Sequence, residues 1–235
     1  MDLFRASFNG KELLKGTVMT EQDLSLTGIK SEASKSVQQD SEVRPKVRDL
    51  TLQGLNRYGL EPERIKDVVK AVMEGISEGL DKRAGEIAPA LSEAIAGLDE
   101  ALKKSAQATQ LALEELTSHG KEFADQDLKL ALDNLKKTEH EFLSIMGQIT
   151  NAAGGKVKQA MKELAGHLQR AGTDTGRMVS ATLGQFSNRV GATLQDATAA
   201  GTKAARNTAE VLARRTSEIL AGWSEALREK SEKDK

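Results

Sequence analysis

Apolar residues return every eleven positions from Ile65 to Trp223, and no other feature constrains the fold of this chain as much. One position of the repeat reads Val69, Leu80, Leu91, Leu102 and Leu113, and continues through Leu135, Met146, Val157, Leu168, Val179, Val190 and Leu212. A second reads Ile65, Ile76, Ile87 and Leu98, with Phe142, Leu164, Phe186 and Ile219 further on. Eleven residues over three turns is about 3.67 per turn, close to the natural helix, so such a stripe stays on one face. Its five apolar positions span an arc of about 130°, the width of one buried helix face. A single helix of this length would reach about 250 Å. The chain is therefore expected to break and fold back, or to pair with a copy of itself.

The break points can be read from glycine and proline. Gly59 suits a left-handed cap after a short helix over Val43–Tyr58, whose Val43, Val47, Leu50 and Leu55 share a face. Pro62 fits the first turn of the next helix, where its missing N–H costs little. These two helices are expected to form a hairpin. Pro89 should interrupt a helix near Gly85–Ala88. Ser118-His119-Gly120 is a candidate turn. Asn151–Gly155 and Gly172–Gly176 are the best hinges, with Thr173 or Asp174 available to cap the helix after the second.

The expected fold is all-α: elongated amphipathic helices in an antiparallel bundle or coiled coil. Residues 1–42 are expected to be poorly structured, because Ser31–Glu42 is polar and poor in apolar residues. Residues 43–155 should hold the hairpin and the long helices. Residues 156–235 should hold helices rich in Ala, Thr and Gly, with a charged tail. Met19-Thr20-Glu21 resembles an ordinary bacterial translation start, which would make residues 1–18 an upstream extension.

Charge is nearly balanced overall but unevenly placed. Residues 62–155 carry 17 acids and 11 bases, whereas 156–235 carry nine acids and 14 bases. Folded back, the two segments would attract one another. A basic tail for nucleic acid is the alternative, but acids interleave the bases and aromatic residues are only 3% of the chain. Nucleic acid is not the expected partner. There is no cysteine, which excludes disulfides and thiolate metal sites and suits a cytoplasmic, reducing compartment. No apolar run is long enough for a transmembrane helix, and the N-terminus has no signal-peptide pattern.

No catalytic constellation stands out, and no metal or other cofactor is expected. No two of His119, His140 and His167 lie three or four residues apart, so they form no helical metal pair. Gly154-Gly155-Lys156 lacks the spacing of a phosphate loop. Asp99 with Lys103 and Glu100 with Lys104 read as helix-surface pairs. One segment differs from the rest. Residues 175–202 carry only Arg177, Arg189 and Asp196 as charges, opposite an apolar side of Met178, Val179, Leu183, Phe186, Val190 and Leu194. Such a helix suits a loosely packed lipid surface, or close packing on a neighbour through its small residues. Trp223, with Leu220 and Leu227, could anchor at an interface or pack in a core.

The eleven-residue pattern resembles that of exchangeable apolipoproteins. Val157–Leu227, with Thr-Ala-Ala-Gly-Thr-Lys-Ala-Ala-Arg-Asn near its middle, is similar to bacterial phasins, which coat polyester storage granules. Late-embryogenesis-abundant protectants share the periodicity too. The resemblance implies a non-enzymatic protein that covers an apolar surface such as a granule or lipid interface. The alternatives are a self-associating helical scaffold and a stress protectant. In the coat reading the contact residues are Val69, Leu80, Leu91, Leu102 and Leu113 in the first half, and Met178, Leu183, Phe186, Val190 and Leu194 in the second.

Overall fold

A computed structural model describes residues 25–39, 42–119, 125–193 and 202–233. The described residues form eight helices and no strand: α1 (Leu26–Gln38), α2 (Val43–Tyr58), α3 (Pro62–Asp81), α4 (Ile87–His119), α5 (Asp125–Ala152), α6 (Gly155–Ala171), α7 (Asp174–Thr193) and α8 (Thr202–Lys233). The fold is all-α. The breaks fall where the local chemistry places them. Gly59 sits at φ 94° and donates its N–H to the Leu55 carbonyl at 2.9 Å. Gly172 sits at φ 77° and does the same for Leu168 at 2.8 Å. Both conformations favour glycine. The break associated with Pro89 comes slightly earlier than expected, over residues 82–86, and Pro89 stands in the first turn of α4. There its missing N–H has no helical partner to lose.

The segment 31–42 corrects an expectation. Far from being poorly structured, residues 26–38 form α1, and Ile29, Ala33 and Val37 are all fully buried. Three apolar residues at a spacing of four suffice because α3 comes unusually close. A Cβ on Gly75 would collide with the Lys30 carbonyl oxygen, and one on Gly79 with that of Ser34. The glycines let the α1 backbone lie almost on the α3 backbone. Polar contacts fix the ends of this pairing. The Ser25 hydroxyl accepts from the Gly28 N–H at 2.9 Å. Arg83 donates to the carbonyls of Val37 at 2.6 Å and Gln39 at 3.1 Å, closing the last turn of α1. Lys30 reaches Glu78 at 2.7 Å and Glu74 at 3.3 Å. Its bond to Glu78, opposed by desolvation and reinforced by Glu74, raises the lysine above its usual pKa.

Helix α2 touches α3, as a hairpin requires, but lies most extensively along α4. Gly97 makes room there for the Arg44 carbonyl. The long helices α4 and α5 barely touch each other. Instead α3 bridges them at one end and α7 at the other. Helix α6 packs on α5 and α4, and α8 crosses α4 and α2. Asn56 of α2 donates to the Ser224 hydroxyl of α8 at 3.1 Å, and the Lys104 ammonium sits 5.7 Å from the centre of the half-buried Trp223 ring. Arg215 of α8 lies 3.8 Å from Glu115 of α4, a direct link between the basic and acidic segments.

One main core joins Ile29 and Val47 to Leu98, Phe142, Val157, Met161 and Leu220. It therefore crosses residue 155, where the sequence divides by composition. The eleven-residue pattern does not run as one stripe. It is cut among the helices and consumed inside the molecule.

Glycine at a close crossing and glycine in open space should respond oppositely to the same change. Gly75→Ala gains helix propensity of about 1 kcal/mol but overpacks the α1 contact, so a net loss of about 1–2 kcal/mol is expected. Gly147, on α5, has nothing within 4 Å of where its Cβ would be. Gly147→Ala should raise stability by about 0.5–1 kcal/mol. Urea denaturation of the two variants checks this; shifts of the same sign would refute the close approach.

Candidate functional site

Val69, Leu80, Leu91 and Leu102 all lie in the main core, each no more than 1% exposed. They face the protein, not an external surface. Leu113 is buried in a second, smaller cluster with Leu128, Leu132 and Phe186, and half-buried Leu183 packs against it. A third cluster joins Ala106 of α4, Leu135 of α5 and Val179 of α7, flanked by Met178 and Leu183. The apolar face of α7 is thus seated between α4 and α5. Val190 belongs to α7, with its side chain outside what is described; Leu194 lies outside the described residues. The structure therefore brings Leu113, Leu183 and Phe186 together but keeps them apart from the Val69–Leu102 set.

The N-terminus of α7 is fastened by a polar joint. The Thr173 hydroxyl oxygen accepts from the Gly176 N–H at 2.8 Å and donates to Glu139 of α5 at 3.1 Å. The Asp99 carboxylate, reaching across from α4, accepts from the N–H groups of Asp174 at 2.8 Å and Thr175 at 3.0 Å. It also accepts from the Thr175 hydroxyl at 2.6 Å. A carboxylate at this end of a helix is favoured by both the free N–H groups and the helix dipole. A Cβ at residue 176 would strike the Glu139 carboxylate, which would have to shift from where it meets Thr173. Lys103 stands 3.5 Å from Asp174, and Arg177 pairs with the same carboxylate.

Thr173 was legible in the sequence as a cap and does cap α7, but the partners of this joint on α4 and α5 were missed. Asp99 reads there as a surface partner of Lys103, yet it is 9% exposed and bonds across to another helix. Glu139 did leave a signal, because it puts a charge at a repeat position that elsewhere holds uncharged residues such as Met73, Ile95, Leu128 and Met161. Asp99 lies beside the stripe and left none.

A cavity of about 200 Å³ opens beside the α7 seat, where α4 and α5 diverge beyond the start of α3. Ile65, Ala106, Ala131, Leu135, Leu212 and Ala213 supply apolar walls. Thr109 and Thr138 also line it, but their hydroxyls donate to the Ser105 and Asn134 carbonyls at 3.0 and 3.3 Å. Elsewhere, His140 and His167 are exposed, and Lys156 is exposed in the first turn of α6. Among the described residues no group of three or more His, Cys, Asp or Glu is placed to hold a metal ion. None of the described helices is long and apolar enough to cross a membrane.

A family profile matches residues 19–229, from ahead of α1 into the last turns of α8. The chain belongs to DUF6781, a family of unknown function. No curated protein and no solved structure matches it. For this DUF6781 chain, the separately seated α7 and the neighbouring cavity are the features that a packed bundle does not by itself require.

Removing Asp99 should loosen α7 selectively. Asp99→Ala leaves two N–H groups without their acceptor and the Thr175 hydroxyl with only the backbone carbonyl of residue 99, a cost of about 2–4 kcal/mol. Native-state amide exchange should show lost protection in α7 while α1 and α3 keep theirs. Equal loss in every helix, or none in α7, would refute the joint.

Proposed function

We propose that this DUF6781 protein is a non-catalytic helical interaction protein that covers an apolar surface, with α7 as the segment that moves onto it. The observation that carries the reading is the separate seating of α7. Val179 and Phe186 are buried in two small clusters outside the main core. Each contributes roughly 1.5–3 kcal/mol of burial when docked. An apolar surface could replace that burial, leaving the Asp99 joint as the main interaction lost on release. The charges of α7 are only Asp174, Arg177 and Arg189, so contact with the surface would be apolar rather than electrostatic. The resemblance to phasins and apolipoproteins points in the same direction.

A second reading, a permanently closed scaffold, is favoured by a different observation. Val69, Leu80, Leu91 and Leu102 are completely enclosed, so the first half needs no external partner to bury its stripe.

Flotation of the full chain with polyester particles and with highly curved, unsaturated, zwitterionic vesicles separates the two. In the coat reading the wild type floats, with little dependence on salt. Residues 106 and 179 pack together, and the chain has no native cysteine. Ala106→Cys with Val179→Cys, oxidised to a disulfide, should hold α7 down and abolish flotation; reduction should restore it. Flotation of the oxidised form would refute release of α7. A wild type that ignores every particle leaves the scaffold reading.

A further inference from the structure

The cavity between α4 and α5 exists because alanines, not larger residues, face it from three helices: Ala106, Ala131 and Ala213. Thr109 and Thr138 have turned their hydroxyls back onto their own helices, which leaves Ser105 and Asn134 as the other uncharged polar side chains in its wall. An apolar cavity of about 150 Å³ already holds a benzene-sized molecule, and this one is about 200 Å³. It is not sealed. Leu130, 49% exposed, stands at its edge, and exposed Glu61 and Glu210 line it from the α2–α3 joint and from α8. Among the described residues that line it there is no Lys, Arg or His. The two charged side chains described at the rim, Glu61 and Glu210, are both acidic and complement a cation.

We propose that this cavity binds a small cationic amphiphile: a medium-length alkyl chain, seated among Ile65, Ala131 and Leu135, that carries an ammonium group between Glu61 and Glu210. The carboxylates give orientation and select against fatty acids, whose head group they would repel. The apolar wall supplies the affinity. The site shares Ala106 and Leu135 with the α7 seat, but it is tested by ligand binding and not by release of α7, so either idea can fail alone.

Octylammonium, octanol and octanoate, titrated separately into the full chain by calorimetry below their aggregation limits, test the proposal. Octylammonium should bind best, octanol about tenfold more weakly, and octanoate least. Glu61→Gln with Glu210→Gln should weaken octylammonium about tenfold and leave octanol unchanged. Ala213→Phe should fill the cavity and remove binding of both. Leu130→Lys, at a half-exposed position that a folded chain tolerates, should narrow the preference for octylammonium over octanoate, and it serves if the phenylalanine variant does not fold. Equal binding of the three compounds, no binding at all, or octylammonium binding that survives in folded Ala213→Phe protein would each overturn the proposal.

Discussion

Close backbone approach is the constraint on which the other features depend. The chain has five Phe, one Trp and one Tyr in 235 residues, so helices cannot be bridged by large rings. They must instead come near enough for Ile, Val, Leu and Ala to meet. Where they do, the contact runs through glycine: Gly75 and Gly79 under α1, Gly97 under α2. Where two helices cannot close, as with α4 and α5, a third helix is inserted between them. A gap is left where the inserted helices stop short. The bundle, the α7 seat and the cavity are thus three outcomes of one packing problem.

The helices and their ends were legible because their signals are local. Gly59, Gly172 and Pro62 act through φ and a missing N–H, which depend on neighbours in sequence. Burial of Val69, Leu80, Leu91 and Leu102 was legible from periodicity. Which surface would bury them was not, because a stripe looks the same whether it meets a granule, a copy of the chain or its own next helix. Helix α1 was hidden by its polar composition. Its signals were Ile29, Ala33 and Val37 at a spacing of four and the Gly75–Gly79 pair, which acquire meaning only together. The Asp99 joint links residues 75 and 76 positions apart in sequence, and nothing in either segment announces the other.

The two halves of α4 also play different roles. Its first half belongs to the main core, with α2 and α3 packed around Leu91 and Leu98. Its second half holds small separate clusters, shares Ala106 between the α7 seat and the cavity, and exposes Leu111 by 42%. A ligand in the cavity would therefore touch one wall of the α7 seat. Anything that binds the seated form in preference to the released form shifts the balance toward it.

The near absence of contact between α4 and α5 has a consequence for assembly. Helix α7 bonds to Asp99 on one side and Glu139 on the other, and these belong to different long helices. Its seat does not exist until both are in place. The contacts it makes are also far apart along the chain, so closing them costs loop entropy that local helix pairs avoid. One step of assembly is thereby constrained: α4 and α5 must both be in place before α7 can seat between them, as a keystone does. When α7 leaves that seat, the bonds of Asp99 are among those that open.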